Sequence, residues 1–256
     1  MKSIRFTATR VVPKEKRGIL VPDVNGYVKT VVGALNAFNS AGEYYTAQGA
    51  EDLFRNSSIL LRRMGKGYLK SELGHPKRLP GQSDDEYLER ILSIEETNVS
   101  AHIKELELDY DFGRRNPQYG NQDMVAIIAT LRPSGPHGKA LEASLANPDE
   151  NVGFSIRALT HNYYERGQTY RVLTTVVTFD QVTEQGIPIA NKWASPALES
   201  IDTLSISNRQ LQRLVERNTL VATESDREMA METLKASQAQ PARLVELPRL
   251  PLHARW

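Results

Sequence analysis

The sequence predicts an α+β protein with a mostly β centre and helices before and after it. Three observations carry this. Residues 99–110 alternate apolar and polar side chains, residues 124–131 (MVAIIATL) are a continuous apolar run, and residues 169–180 (TYRVLTTVVTFD) are rich in β-branched residues. Against them stand segments of helical spacing on either side, among them one opened by Ser83-Asp84-Asp85-Glu86, a capping-box pattern.

Taken in order, residues 4–12 (IRFTATRVV) begin with alternation and predict a half-buried strand. Pro22, Asp23, Asn25 and Gly26 form a turn. Val28, Val31, Val32, Leu35 and Phe38 recur at helical spacing and predict a helix, and a second helix is expected over 50–64, ended by Gly65 and Gly67. A short extended piece, YLKSEL, runs into Gly74-His75-Pro76. The capped helix follows over 84–93. In the strand over 99–110 the apolar phase changes near Lys104-Glu105, where a bulge would explain it. Residues 112–122 form a loop, 124–131 a buried strand, and Lys139–Leu145 a short helix stopped by Asn147-Pro148. Strands over 152–159 and 169–180 complete the core. Beyond Pro188 the chain becomes polar and helical (207–217 and 224–236), then proline-rich and basic over 237–256, an extended tail. The expected organisation is a main domain over 1–200 and a helical extension with a flexible tail over 201–256.

Composition narrows the function. There are 32 basic and 31 acidic side chains, so no bulk charge points to nucleic acid. The chain has no cysteine, which removes disulfides, thiolate catalysis and cysteine-based metal sites. No apolar run approaches a membrane span, and the N-terminus lacks the apolar region of a secretion signal. The chain is expected to be soluble and cytosolic, without membrane contact. Neither a phosphate-binding glycine loop nor H-E-x-x-H occurs, which argues against nucleotide and metallohydrolase chemistry. No cofactor and no metal are expected.

A serine hydroxyl needs a base within hydrogen-bond reach, and usually a third group that fixes the base. Five histidines are available: His75, His102, His137, His161 and His253. His75 lies between Gly74, which permits a tight approach, and Pro76, which forces the preceding residue into extended geometry. Ser155 sits inside the strand VGFSIRAL. Gly153 leaves room for a close approach, and Arg157 shares a strand face with Ser155. An arginine there could support a developing oxyanion, directly or through neighbouring donors. Asp180 ends a long strand, where a carboxylate could accept the imidazole N–H. Each feature alone also fits an ordinary turn histidine, a polar strand face or a strand-ending aspartate.

Together, ELGHP, then VGFSIRA, then a long strand ending in TFD resemble the prohead proteases of tailed phages, which share their fold with the herpesvirus maturation proteases. DVNG, EYLERILSIEETNVSAHIKELELD and MVAIIATLRPSG add to the resemblance, which spans about residues 20–190. It implies a mainly antiparallel β-barrel core flanked by helices and a serine endopeptidase. Ser155 would be the nucleophile, His75 the base, Asp180 the third member, and Arg157 support for the oxyanion. Because the herpesvirus branch uses a histidine as third member, His102 and His161 stay open as alternatives. The resemblance also implies cleavage after glutamate, inside the immature head in the host cytoplasm. The substrates would be scaffold or core proteins and the major capsid protein, with self-cleavage and homo-oligomerisation as further expectations. Arg78, Arg114 and Arg115 are candidate cations for a glutamate pocket. Self-cleavage could follow Ala197-Leu198-Glu199, Ala222-Thr223-Glu224 or Ala230-Met231-Glu232. A non-catalytic internal scaffold protein is the rival reading.

Overall fold

The computed structural model describes residues 19–193. The chain runs β1 (Val28–Leu35), β2 (Ala37–Phe38), β3 (Tyr44–Thr46), α1 (Ala50–Asn56), α2 (Ser58–Gly65), β4 (Lys70–Glu72), α3 (Asp84–Leu92), β5 (Val99–Asp109), α4 (Phe112–Arg115), β6 (Val125–Pro133), α5 (Gly138–Ala146), β7 (Gly153–Glu165) and β8 (Gln168–Val182). This is the α+β mixture expected. The strand expected at 4–12 and the helices and tail expected over 201–256 lie outside the described residues.

Two four-stranded sheets form, in the orders β1-β6-β5-β4 and β2-β3-β8-β7. All pairings are antiparallel except β3 with β8. Between the sheets lies a core that includes Leu35, Ile103, Ile127, Leu131, Phe154 and Phe179, all fully buried. Each such side chain contributes about 1.5–3 kcal/mol by leaving water. The sheets meet at two seams. At one, Leu73 bridges Gln181 in parallel and the Thr178 hydroxyl donates to the Lys70 carbonyl. At the other, a Cβ on Gly33 would stand 2.7 Å from Ile156 Cδ1, so a side chain at residue 33 would force Ile156 of β7 to shift. The continuous ladder of a closed barrel, expected from the sequence, is not found among the described residues. β4 supplies the reason: it is three residues long, and its register with β5 shifts between Ser71 and Glu72. Just past it, Leu73 makes a single bridge to the second sheet.

The helix expected over Val28–Phe38 is instead β1 and β2. The register of β1 with β6 shifts between Val31 and Gly33, and the second half of β1 is buried on both faces. A bulge and two-sided burial erase the alternation, and the surviving apolar spacing imitates a helix. The single helix expected over 50–64 is two. Ser57 is extended, and its hydroxyl accepts from Leu60 N at 3.3 Å, capping α2 and ending α1. The loop expected over 112–122 contains the short α4 and a turn of 3₁₀ helix over Pro117–Tyr119. The bulge expected in β5 is present between Ile103 and Glu105.

The capping box at α3 is complete. Ser83 Oγ accepts from Glu86 N at 3.3 Å, and Glu86 Oε2 accepts from Ser83 N at 2.8 Å. Ser83→Ala should cost about 1 kcal/mol, a fall in melting temperature of roughly 2–4 °C measurable by circular dichroism. An unchanged melting temperature would mean that α3 is held by its packing alone.

Candidate active site

β7 and β8 pair along their whole length, and Ser155 lies directly opposite Asp180. Opposed residues of an antiparallel pair project from the same face, so the serine and the aspartate are neighbours by register. Arg157, two residues along β7, shares that face and lies opposite Thr178. Immediately after Arg157 the register shifts, with Ala158 opposite Val176. A bulge at this point re-aims the side chains beside it. Ser155 is 6% exposed.

His75 reaches the same face from the other sheet. Gly74 adopts φ +75°, a left-handed conformation open to glycine at little cost, and its N–H donates to Gln181 O at 2.6 Å. Just ahead of it, Leu73 N donates to Asn98 O, and Asn98 Nδ2 returns a bond to Leu73 O. On the other flank, the Tyr87 hydroxyl, presented by α3, donates to Pro76 O at 3.1 Å. The short segment carrying His75 is thus pinned on both sides. Its Nδ1 lies 2.9 Å from Asp180 Oδ2. The acceptor is a carboxylate, so Nδ1 carries the proton and Nε2 presents the lone pair when the ring is neutral.

Asp180 is fully buried and takes four donors. His75 Nδ1 and Arg157 Nε (2.8 Å) meet Oδ2, while Arg157 Nη2 (2.6 Å) and the Glu72 backbone N–H (3.2 Å) meet Oδ1. Burial alone would push this carboxyl up. The Arg157 charge, with the bonds from His75 and Arg157, holds it below the ordinary aspartate value instead. Arg157 is itself buried, which would lower its pKa, but the charges of Asp180 and Glu72 keep it raised.

All five N–H groups of Arg157 are engaged. Nε and one Nη2 hydrogen serve Asp180, the other Nη2 hydrogen faces Glu72 Oε1 at 3.0 Å, and Nη1 donates to the carbonyls of Ser93 (2.8 Å) and Ile91 (3.4 Å). A direct bond from Arg157 to an oxyanion has no N–H left to supply it here, which leaves the expected support to run through water or neighbouring backbone donors. In this arrangement the guanidinium holds Asp180 by a two-pronged bond.

Of the other sequence candidates, His102 bonds the Tyr27 hydroxyl through Nδ1 at 2.9 Å, on the β5 side of the first sheet. His161 lies six residues along β7 from Ser155, roughly 20 Å away at strand rise. Neither stands at Asp180 as His75 does. The candidate glutamate-pocket cations are occupied locally: Arg78 with Asp84 at 2.5 Å, Arg114 with Asp111, and Arg115 with Asp109. The three self-cleavage motifs lie outside the described residues.

Sequence reasoning missed Glu72 and Arg90. Glu72 is fully buried, and Arg90 of α3 grips it with Nη1 at 3.1 Å and Nη2 at 2.5 Å. The one available signal was an acidic residue in the extended piece leading to His75.

The model of the Peptidase S80 family matches residues 6–239. The capsid maturation protease of Pseudomonas phage phiKZ is 39% identical over 191 residues, 73% of this chain and 68% of that protein. No solved structure matches the chain. The match along most of the sequence agrees with the resemblance carried by ELGHP, VGFSIRA and TFD, and the chain belongs to the Peptidase S80 family.

Proposed function

We propose that this chain is a serine endopeptidase of capsid maturation, with Ser155 as nucleophile, His75 as general base and Asp180 as the group that orients the histidine. The observation that carries the reading is the convergence on one face: Ser155 opposite Asp180 in the β7–β8 ladder, and His75 Nδ1 bonded to Asp180. His75 Nε2 takes the Ser155 proton as Oγ bonds to the peptide carbonyl carbon, and the imidazolium returns it to the leaving amine. Water, deprotonated by the same nitrogen, then releases the acyl group and restores the serine. Asp180 stays ionised throughout and stabilises the imidazolium.

The substrates are scaffold and capsid proteins inside the immature head, as the phage relative's name and the sequence resemblance suggest, and the cut falls after glutamate. The two seams between the sheets would make the fold an interrupted version of the herpesvirus-type barrel. The chain's own Glu199, Glu224 and Glu232 provide a test of specificity. Mass spectrometry of the purified protein should show a new terminus after at least one of them, and only Ser155→Ala protein should keep its full length. Identical termini in both proteins, or cuts after residues other than glutamate, would count against this specificity.

A further inference from the structure

We propose that Glu72 is a positioning residue of this site: its buried carboxylate fixes Arg157, and Arg157 in turn fixes the carboxylate that holds His75. The inference rests on the peptidase reading above and names a group that supports the three side chains without touching substrate.

The geometry has three parts. First, Glu72 acts at both ends of the relay. Its backbone N–H donates to Asp180 Oδ1, while its side chain receives Arg157 Nη2 at 3.0 Å. Second, Glu72 is itself immobilised. Besides the two bonds from Arg90, Oε1 accepts from Glu95 N at 2.8 Å and Oε2 from Asn98 Nδ2 at 3.3 Å. Third, these partners come from separate elements: Glu72 from β4, Arg90 from α3, Arg157 from β7 and Asp180 from β8. The Ser93 and Ile91 carbonyls hold Arg157 through Nη1, and Glu72 adds the charged partner that holds the Nη2 edge facing Asp180; the imidazole orientation inherits the rigidity of these ties together.

Charge makes the proposal testable. Two carboxylates (Glu72, Asp180) and two guanidiniums (Arg90, Arg157) balance one another beside the His75 imidazole, and Glu95 touches Arg90 from the partly exposed side at 3.1 Å. Farther along the segment after His75, Arg78 is paired with Asp84. A proton on His75 adds one positive charge. Removing the Glu72 charge leaves the cluster more positive and disfavours the imidazolium; removing the Arg90 charge does the reverse.

The experiment compares the unchanged full chain with Glu72→Gln, Glu72→Asp and Arg90→Gln. Two quantities are read: the pH profile of kcat/KM on a peptide copying residues 192–206, and the protonation midpoint of His75 by ¹⁵N NMR. Glu72→Gln should lower kcat/KM about tenfold or more and move the acid limb and the midpoint down by on the order of half a pH unit. Arg90→Gln should move both up by a similar amount, and Glu72→Asp should return them toward the unchanged protein. A purely structural Glu72 would lower activity in proportion to the folded fraction and move neither, and that outcome overturns the proposal. If Glu72→Gln does not fold, the Arg90→Gln shift decides alone: upward supports the proposal and no movement sinks it. Should Ser155→Ala cleave as well as the unchanged chain, the serine assignment fails, while the NMR midpoints still score the positioning role.

Discussion

Ser155→Ala should lower kcat on the order of 10⁴- to 10⁶-fold while the protein remains folded. The size follows from the division of labour. In the proposed mechanism Oγ forms the acyl-enzyme, His75 takes its proton and Asp180 holds the ring; without Oγ what remains is binding and whatever donors surround the carbonyl. The side chain is small and almost fully buried, so its removal should cost only about 1 kcal/mol of stability, a few degrees in melting temperature. Loss of activity without loss of fold is the signature sought. His75→Gln should fall nearly as far, and the double variant should be no worse than Ser155→Ala, because groups that act as one unit are not additive. Cleavage by purified Ser155→Ala at the unchanged rate would remove the serine from the mechanism. Multiplying losses in the double variant would mean that the two side chains act in separate steps.

The parts of the molecule legible in the sequence are those whose signal is local. The α3 capping box is written in four consecutive residues, and the structure contains it whole. β8 is announced by its β-branched run, and the β5 bulge by a change of phase. β1 was illegible because its second half is buried on two faces and its register slips beside Gly33, so nothing in the local pattern marks period two. The candidate site divides in the same way. His75 is marked by its glycine and proline neighbours, Ser155 and Arg157 by an unusual polar pair on a strand, and Asp180 by the strand end. Their alignment is a matter of register: Ser155 meets Asp180 because of how β7 and β8 pair, and a slip by one residue would turn the serine to the other face. Glu72 and Arg90 were invisible for a different reason. A glutamate in a short extended segment and an arginine on a polar helix look like surface groups, and only the burial of Glu72 against Arg157, with Arg90 bonded to it, separates them from the solvated majority.

Arg157→Met should be the most destabilising single change in the site, by about 3–5 kcal/mol. That is a fall in melting temperature of roughly 10 °C. The charge removed is buried between two carboxylates. Glu72 keeps Arg90, but Asp180 loses the one cationic partner it has among the described residues apart from a protonated His75, and is left fully buried with neutral donors. Activity should fall as well, because nothing then restrains the carboxylate that orients His75. Arg157→Lys should lie between the two proteins: it keeps the charge, but a single ammonium cannot bond both Asp180 oxygens and still reach Glu72 and the Ser93 carbonyl. The pH dependence has a definite sign. Asp180 and Glu72 both have depressed pKa values in the folded protein. Their contribution is therefore complete above the ordinary carboxylate range, near pH 4, and is lost as pH falls through the depressed values. The stability gap between the unchanged protein and Arg157→Met should be widest near neutrality and should narrow below about pH 4, where protonation removes the charges that Arg157 neutralises. Denaturant titrations across that range measure it directly. A gap that stays constant with pH would mean that Arg157 stabilises the fold through packing and its carbonyl bonds, and that the two carboxylates do not depend on its charge.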